Sequence, residues 1–593
     1  MKGLKGTESS LLGTESRLRH EYVYAFLMIV FLLLLPFYNV VFLGRTFLTS
    51  PLCPGTMPTG PYGYTGQAAE VEVRDPGASA WQNEPLAVKI REEALTGKLP
   101  LWNPNSGVGA PLLANIISAP FSPFRVMLYG STSPIVWDLY FLIRLLAAGF
   151  FTYVFLRTMT TSPLGSMAGA ISFMFCGYFI QYVNMCHLDV DVLIPLTLLA
   201  FEYLFRDCRP RNVVLSAFVV CFTVLGGMPE STFFVLLFAF LYYFFRVIWS
   251  KSHETPKTAR FYLKHSFRFS SAVVLGMLLS GPQLLPFLEY AFQSSAIQVT
   301  HGTTTGAGSA ALIGSISIMV PHFFGRMHAH WNGMSAHGLI AYVGVLPIFL
   351  ALMGTFAKSR DGRNKLKWFF AIFALLFVFK GYGFLVINWI GYLPIFNRMI
   401  FPKYCAPEFA FSVAALAAMG TDALIQGTVS KKKIRFASAL LVGFILVYLG
   451  ARPFDLFPQL NDIRIVKYVS LQAGSAFFLI GIAYLLASWS QQHEERTVAI
   501  ACLTVLLLGE LLFYVPRGRA TRYDPATVPP FVNFLKRDEE RFRVLGHSVL
   551  YPNSSSFFNM DCITDLNPMY PLRYMTDLRG KSCLRTWTAS CPI

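Results

Sequence analysis

Apolar runs of membrane-crossing length recur along this chain from residue 22 to residue 515, separated by polar segments of two kinds. The first run is "YVYAFLMIVFLLLLPFYNVVFLG" (22–44). Others lie near 133–157, 163–184, 188–205, 212–228, 231–249, 269–289, 338–356, 367–388, 405–425, 434–451, 467–488 and 497–515. Each is close to the ~20 residues that a helix needs to cross a bilayer. Open backbone cannot face lipid, and the runs are too long for barrel strands. They predict an all-α polytopic membrane bundle of about thirteen transmembrane helices. The first run is too long for a signal-peptide core and reads as a retained anchor.

One kind of polar segment is short and basic. The tail 1–21 carries Lys2, Lys5, Arg17 and Arg19, and later segments carry Arg206, Arg209 and Arg211, then Lys251 to Arg268, Lys358 to Lys367, and Lys431 to Arg435. All of them fall on the N-terminal side of the predicted bundle, which makes that side cytoplasmic by the positive-inside rule. The other kind is long and is expected outside: a first loop (45–132), a second (290–337), a turn (389–404) and a C-terminal segment (516–593). Polar loops on a rigid scaffold are where chemistry is to be sought.

Inside the first loop, "PLAVKIREEALTG" (85–97) has Pro85 at its start and Gly97 at its end, which suits a short helix. Leu86, Ile90 and Ala94 share one face, so an amphipathic helix lying on the membrane surface is expected. Residues 98–111 are too rich in Pro, Asn and Gly for a helix. Residues 112–129 suit a second surface helix or a re-entrant segment.

Composition sharpens this picture. Only 14% of the 593 residues are charged, against about 25% in soluble domains. The net charge of +17 sits in the short loops and reports topology rather than a nucleic-acid partner.

Several stretches resemble the YfhO-like bacterial membrane proteins and, more broadly, the GT-C class of membrane glycosyltransferases. They are "DPGASAWQNEP" (75–85), "GKLPLWNPNSGVGAPLLAN" (97–115), "CGYFIQYVNMCHLDVDVLIPLTLLAFEYL" (176–204), "GGMPEST" (226–232), "AYVGVLPIFLALMG" (341–354) and "LPIFNRMIFPKYCAPEFAFSVAALAAMG" (393–420). The resemblance implies transfer of a sugar from a polyprenyl-phosphate-linked donor to a cell-envelope glycan or polymer at the external face of a bacterial inner membrane. It implies an external acidic base, a role that falls by position on Asp75. It also implies a longer external domain, of which 516–593 is read as the start. The chain departs from the pattern at "SAHGLIAYVG", where His337 and Gly338 stand in place of an expected Glu.

Sugar transfer needs a base, a cation for the departing phosphate and a platform for the ring. Asp75 is the candidate base, or else a solvated loop carboxylate beside Arg74. Trp81, Gln82, Trp102, Asn103 and Asn115 are candidates to line the sugar site, the alternative being that the Trp residues anchor the loop at the interface. In "CHLDVD", His187 and Asp189 are candidates with Asp191 beside them. One Asp is expected to serve as a second acid or divalent-metal ligand, or only as a helix cap. No metal or cofactor is fixed by spacing. Glu230 opens a span and is either a substrate group or a carboxylate held by the helix dipole. Arg398 and Lys403 suit a lipid phosphate, or snorkel to water or pair with Glu408. Arg144 is expected to pair with Asp138. The rival readings are a transporter or flippase of a lipid-linked sugar, although no internal repeat is evident, and a non-catalytic partner in envelope assembly.

Overall fold

The computed structural model describes residues 2–49, 78–107, 109–207, 209–249, 258–294, 312–325, 339–357, 364–450, 462–515, 520–521, 528, 530–540, 542–545, 553–563 and 569. Helices form where the apolar runs predict them. They are α1 (Lys2–Phe42), α2 (Glu84–Leu95), α3 (Pro134–Thr158), α4 (Pro163–Met174), α5 (Ile194–Arg206), α6 (Pro210–Leu225), α7 (Pro229–Trp249) and α8 (Ala259–Leu279). There follow α9 (Gly281–Phe292), α10 (Val345–Phe356), α11 (Asn364–Gly381), α12 (Ala406–Ile425), α13 (Lys431–Leu449), α14 (Ile463–Ser490) and α15 (Arg496–Leu512). Pro occupies the first turn of many of them, where its missing N–H goes unneeded.

Among the described residues, six helices are long and apolar enough to cross a membrane: His20–Phe42, Pro134–Thr158, Pro163–Gln181, Pro229–Trp249, Ala406–Ile425 and Ile463–Ser490. The pair α8 and α9 makes a seventh if it counts as one span. It bends by 80° where Ser280, Gly281 and Pro282 interrupt the helical ladder. Thirteen full crossings are therefore not what length and composition alone give. Several predicted spans, such as Pro210–Leu225 and Val345–Phe356, are short.

The helix ends gather at two poles. At the basic pole Arg157, at the end of α3, donates to Glu21 near the start of the apolar part of α1. Arg206 joins Glu202 at 2.6 Å and the Thr158 carbonyl at 2.8 Å, and Arg246 donates to both oxygens of Glu202. Lys433 caps the carbonyl of Phe356, and Asp422 accepts the backbone N–H of Ser162 at 3.0 Å. Arg206 and Lys433, from two of the basic segments expected to share one side, lie at this pole. The opposite pole carries the first loop.

Helix α12 is the centre. Every residue from Ala406 to Leu424 is buried, and α4, α10, α11 and α15 pack around it. Its Ala and Gly positions let backbones approach, the packing mode that works where lipid removes the hydrophobic drive between helices. A methyl group on Gly420 would collide with the Leu350 carbonyl of α10, and one on Gly354 would collide with the Leu416 carbonyl.

The first loop is folded against protein. Helix α2 carries Pro85 in its first turn and is capped at Thr96, with Gly97 at φ +72°. Its apolar face does not lie on lipid as expected. Leu86 and Ile90 pack on Leu112 and Tyr129. Residues 112–129 form no long helix, only a 3-10 turn (Ile116–Ser118) and one helical turn (Met127–Gly130). The described part of the C-terminal segment clamps this loop. Lys89 and Glu92 bond Asn559, Asn105 bonds Asp561, and Arg543 donates to the Gly107 carbonyl at 2.7 Å.

Gly420→Ala should destabilise the bundle by about 1–3 kcal/mol, as an overpacking change does. Gly443→Ala, where a methyl meets nothing within 4 Å, should leave stability within about 0.5 kcal/mol. Thermal unfolding of the full chain in detergent compares the two.

Candidate functional site

Beneath the first loop, α4 gives way to short turns, Gly177–Gln181 and Leu188–Asp191, before α5 begins. Irregular backbone at such depth is tolerated only where protein satisfies it. Arg144 of α3 does so, donating to the carbonyls of Val183 at 2.6 Å and Met185 at 2.7 Å. Gly177 donates to the Tyr342 carbonyl at 2.8 Å.

Asp189 is the hub of this frame. Its Oδ1 accepts from the Tyr140 hydroxyl at 2.5 Å and Arg144 Nη1 at 2.9 Å. Its Oδ2 accepts from Ser122 Oγ at 3.1 Å and Arg125 Nε at 3.0 Å. Arg125 also donates to the carbonyls of Ile117 and Ser118. One fully buried carboxylate therefore ties the first loop, α3 and the 182–191 turn together. The expected roles of Asp189 as a second acid or metal ligand meet a carboxylate already engaged on both oxygens. Arg144 pairs with Asp189 and not with Asp138, which accepts instead from Thr46 Oγ1 and the Phe47 N–H, both at 2.9 Å.

Two residues further on, the surroundings differ. Asp191 is fully buried, and neither of its oxygens completes a hydrogen bond. Its polar neighbours are the hydroxyls of Tyr178 and Ser231. Glu408, in the first turn of α12, is buried with both oxygens unpaired, and the Asp191 charge acts on it. His187 Nε2, Gln181 Oε1 and both amide atoms of Asn184 are unpaired as well. Aromatic rings bound the cluster: His187 lies 5.4 Å from Tyr178, 4.8 Å from Tyr182 and 6.2 Å from Tyr404. Lys403 stands 4.9 Å from the Tyr404 ring and 5.4 Å from Tyr182, and its charge reaches Asp191, Glu230 and His187. Desolvation holds the His187 imidazole well below its ordinary pKa, and the charges of Lys403 and Arg144 push the same way, so the ring is neutral.

The "GGMPE" stretch serves this frame. Gly227 adopts φ +86°, and a methyl there would meet Ala119 and the Ile116 carbonyl at 2.6 Å. Gly226 lies as close against Val190. The next turn starts α7 and brings Ser231 and half-buried Glu230 toward the cluster.

The structure thus unites His187, Glu230 and Lys403 with Asp191 and Glu408. Asp75 lies outside the described residues, as do His337 and Gly338. Trp81 and Gln82 sit in a π-helical turn (Ser79–Asn83), and the Trp81 carbonyl accepts from Asn553 at 2.9 Å. Asn103 bonds Ser106 at 2.9 Å and Ser556 at 3.3 Å, and Asn115 caps the 3-10 turn at Ile117. Trp102 is 51% exposed in a two-residue strand paired with Ala110–Pro111, its indole against Gly109. Arg398 is exposed on the Phe396–Arg398 turn, whereas Lys403 turns inward. Among the described residues no group of three or more His, Cys, Asp or Glu is placed to hold a metal ion.

Long apolar helices, satisfied irregular turns at one pole and a buried ionisable cluster define a helical membrane protein with an interior polar site. The chain belongs to the bacterial membrane protein YfhO family, whose model matches residues 82–517. Asp75 precedes that region. No curated protein matches the chain. Among solved structures it is similar to the arabinosyltransferase EmbB from Mycobacterium smegmatis, at 15% identity and a TM-score of 0.38, covering 73% of this chain and 39% of that one. It therefore spans about two fifths of the arabinosyltransferase's length. It is also similar to ArnT from Cupriavidus metallidurans bound to undecaprenyl phosphate, at 13% identity and a TM-score of 0.40, covering 80% of each chain.

Asp189→Ala strands two buried arginines and should destabilise the protein by about 3–5 kcal/mol. Unfolding of the full chain in lipid nanodiscs measures this, and a change below about 1 kcal/mol would refute the bracing role.

Proposed function

We propose that this protein is a membrane glycosyltransferase. It moves a sugar from a polyprenyl-phosphate-linked donor to a cell-envelope acceptor at the external face of a bacterial inner membrane, with its N-terminus in the cytoplasm. The observation that carries the reading is the buried pair of carboxyls, Asp191 and Glu408, beneath the first loop, with the Lys403 charge acting on Asp191. Ionisable groups at such depth mark functional sites by default, because their burial is costly.

In the reaction the acceptor hydroxyl gives its proton to a carboxylate base, and its oxygen bonds the anomeric carbon. The bond from that carbon to the phosphate oxygen breaks, and the electron pair leaves with the polyprenyl phosphate. Asp75 is the proposed base by family resemblance. Lys403 is the proposed counter-charge for the phosphate, with exposed Arg398 receiving the headgroup from the membrane side. The acidic role inside the cluster is assigned to Asp191, because Asp189 is occupied as a brace. Trp81, Gln82 and Trp102 are left to the acceptor side of the first loop.

The test uses purified full-length protein in lipid with radiolabelled polyprenyl-phosphate sugars and a cell-envelope extract. Asp75→Asn should slow transfer about 10²–10⁴-fold, the contribution of a general base. Lys403→Ala should slow it about 10²–10³-fold. Full transfer by Asp75→Asn removes that residue from the mechanism. Label that crosses the bilayer without reaching acceptor identifies a transporter instead.

A further inference from the structure

We infer that Lys367 and Lys433 form a binding site for the phosphate of an anionic phospholipid in the leaflet at the basic pole. The site is independent of the transferase chemistry. Most cations described at that pole are matched by acids: Arg157 by Glu21, Arg206 and Arg246 by Glu202, and Arg211 by Asp207. Lys367 and Lys433 are held differently. Lys367, in the first turn of α11, donates to the Ala357 carbonyl, and Lys433, in the first turn of α13, donates to the Phe356 carbonyl. These carbonyls are adjacent, at the end of α10. Two ammonium groups thus converge from two helices on one point, and the Lys433 charge acts on Lys367, which is buried. Among the described residues no carboxylate bonds either of them. Asp422, at the same end of α12, gives both oxygens to the Ser162 N–H.

Capping α10 does not account for both lysines. A helix C-terminus carries roughly half a negative charge, far less than two ammonium groups bring. The remainder repels itself, and a low dielectric strengthens that repulsion. The sequence adds to the excess, since residues 358–367 and 431–435 carry nine basic side chains, these two included, against Asp361 alone. An anion completes the set. Each ammonium uses one of its three donors on a carbonyl and keeps the others for a ligand, which a phosphate accepts. The apolar surroundings select a lipid over a free anion. Trp368, next to Lys367, and Phe436, three residues beyond Lys433, are each at least half exposed. The Phe436 ring lies 5.7 Å from that of Phe356 at the end of α10. Ile372 on α11 and Leu440 on α13, also exposed, continue these faces one turn further from the pole. A headgroup would meet the cations while its acyl chains lie along these side chains, as in basic pockets between helices that hold anionic lipids.

The experiment titrates the full chain in neutral detergent with phosphatidylglycerol, phosphatidylcholine or inorganic phosphate. Native mass spectrometry reads the bound lipid, and thermal unfolding is followed alongside. Wild type should hold phosphatidylglycerol at least about tenfold more tightly than phosphatidylcholine, a difference of ~1.4 kcal/mol. Phosphatidylglycerol should also raise its unfolding temperature. Lys367→Gln and Lys433→Gln should each lose about fivefold for phosphatidylglycerol, the effect of one cation at an anionic lipid surface. Both should bind phosphatidylcholine as wild type does. Lys432→Gln, exposed on the same turn as Lys433, should lose less than about twofold, since water and salt screen an exposed charge. Wild type without preference for phosphatidylglycerol overturns the site. So do Lys367 and Lys433 variants that unfold earlier yet bind phosphatidylglycerol normally, because the lysines are then caps and nothing more. Equal loss by Lys432→Gln reduces the effect to a general surface field and overturns it too. Stabilisation by inorganic phosphate that matches phosphatidylglycerol overturns the lipid as occupant. Sugar transfer is a separate readout, so the transferase reading stands or falls apart from these outcomes.

Discussion

A carboxylate buried among apolar side chains has lost its hydration and must recover that free energy from partners or leave the protein less stable. Asp189 recovers it through two arginines, a tyrosine and a serine, and the loop pole is organised around those bonds. They hold the irregular 182–191 turn below the first loop, and Arg144 satisfies two carbonyls of that turn which no helix serves. With this brace in place, Asp191 is held in the interior beside the hydroxyls of Tyr178 and Ser231.

The second requirement is close approach of backbones. Helix α12 reaches the centre because small residues face α10 and α4, so that its first turn delivers Glu408 to the same interior as Asp191. Gly226 and Gly227 do the corresponding work at the start of α7, which carries Ser231 and Glu230. Packing and site are thus one construction: helices that touch through glycine and alanine leave their first turns at one pole, where the polar side chains converge.

Much of the helical layout was legible in the sequence, because apolar runs, N-terminal prolines and basic segments each follow from the solvent in which a membrane protein folds. The 80° bend between α8 and α9 was foreshadowed only by "SGP". The burial of the apolar face of α2 against Leu112 was not, since an amphipathic pattern says that a face is covered and not by what. The hold of the C-terminal segment on Asn103, Asn105 and Lys89 joins residues more than 400 positions apart, which no local pattern records.

The site divides in the same way. His187, Glu230 and Lys403 stood out in the sequence as ionisable groups near helix ends, and the fold brings them together. The choice between Asp189 and Asp191 was closed to sequence, because two carboxylates two residues apart differ only in what the rest of the chain places before them. Sequence alone determined that this is a helical membrane protein with its polar chemistry at one pole, since lipid admits little else. Tertiary structure alone decided which acid braces the frame and which lies beside Glu408, because a carboxylate's role follows from the partners that distant segments bring to it.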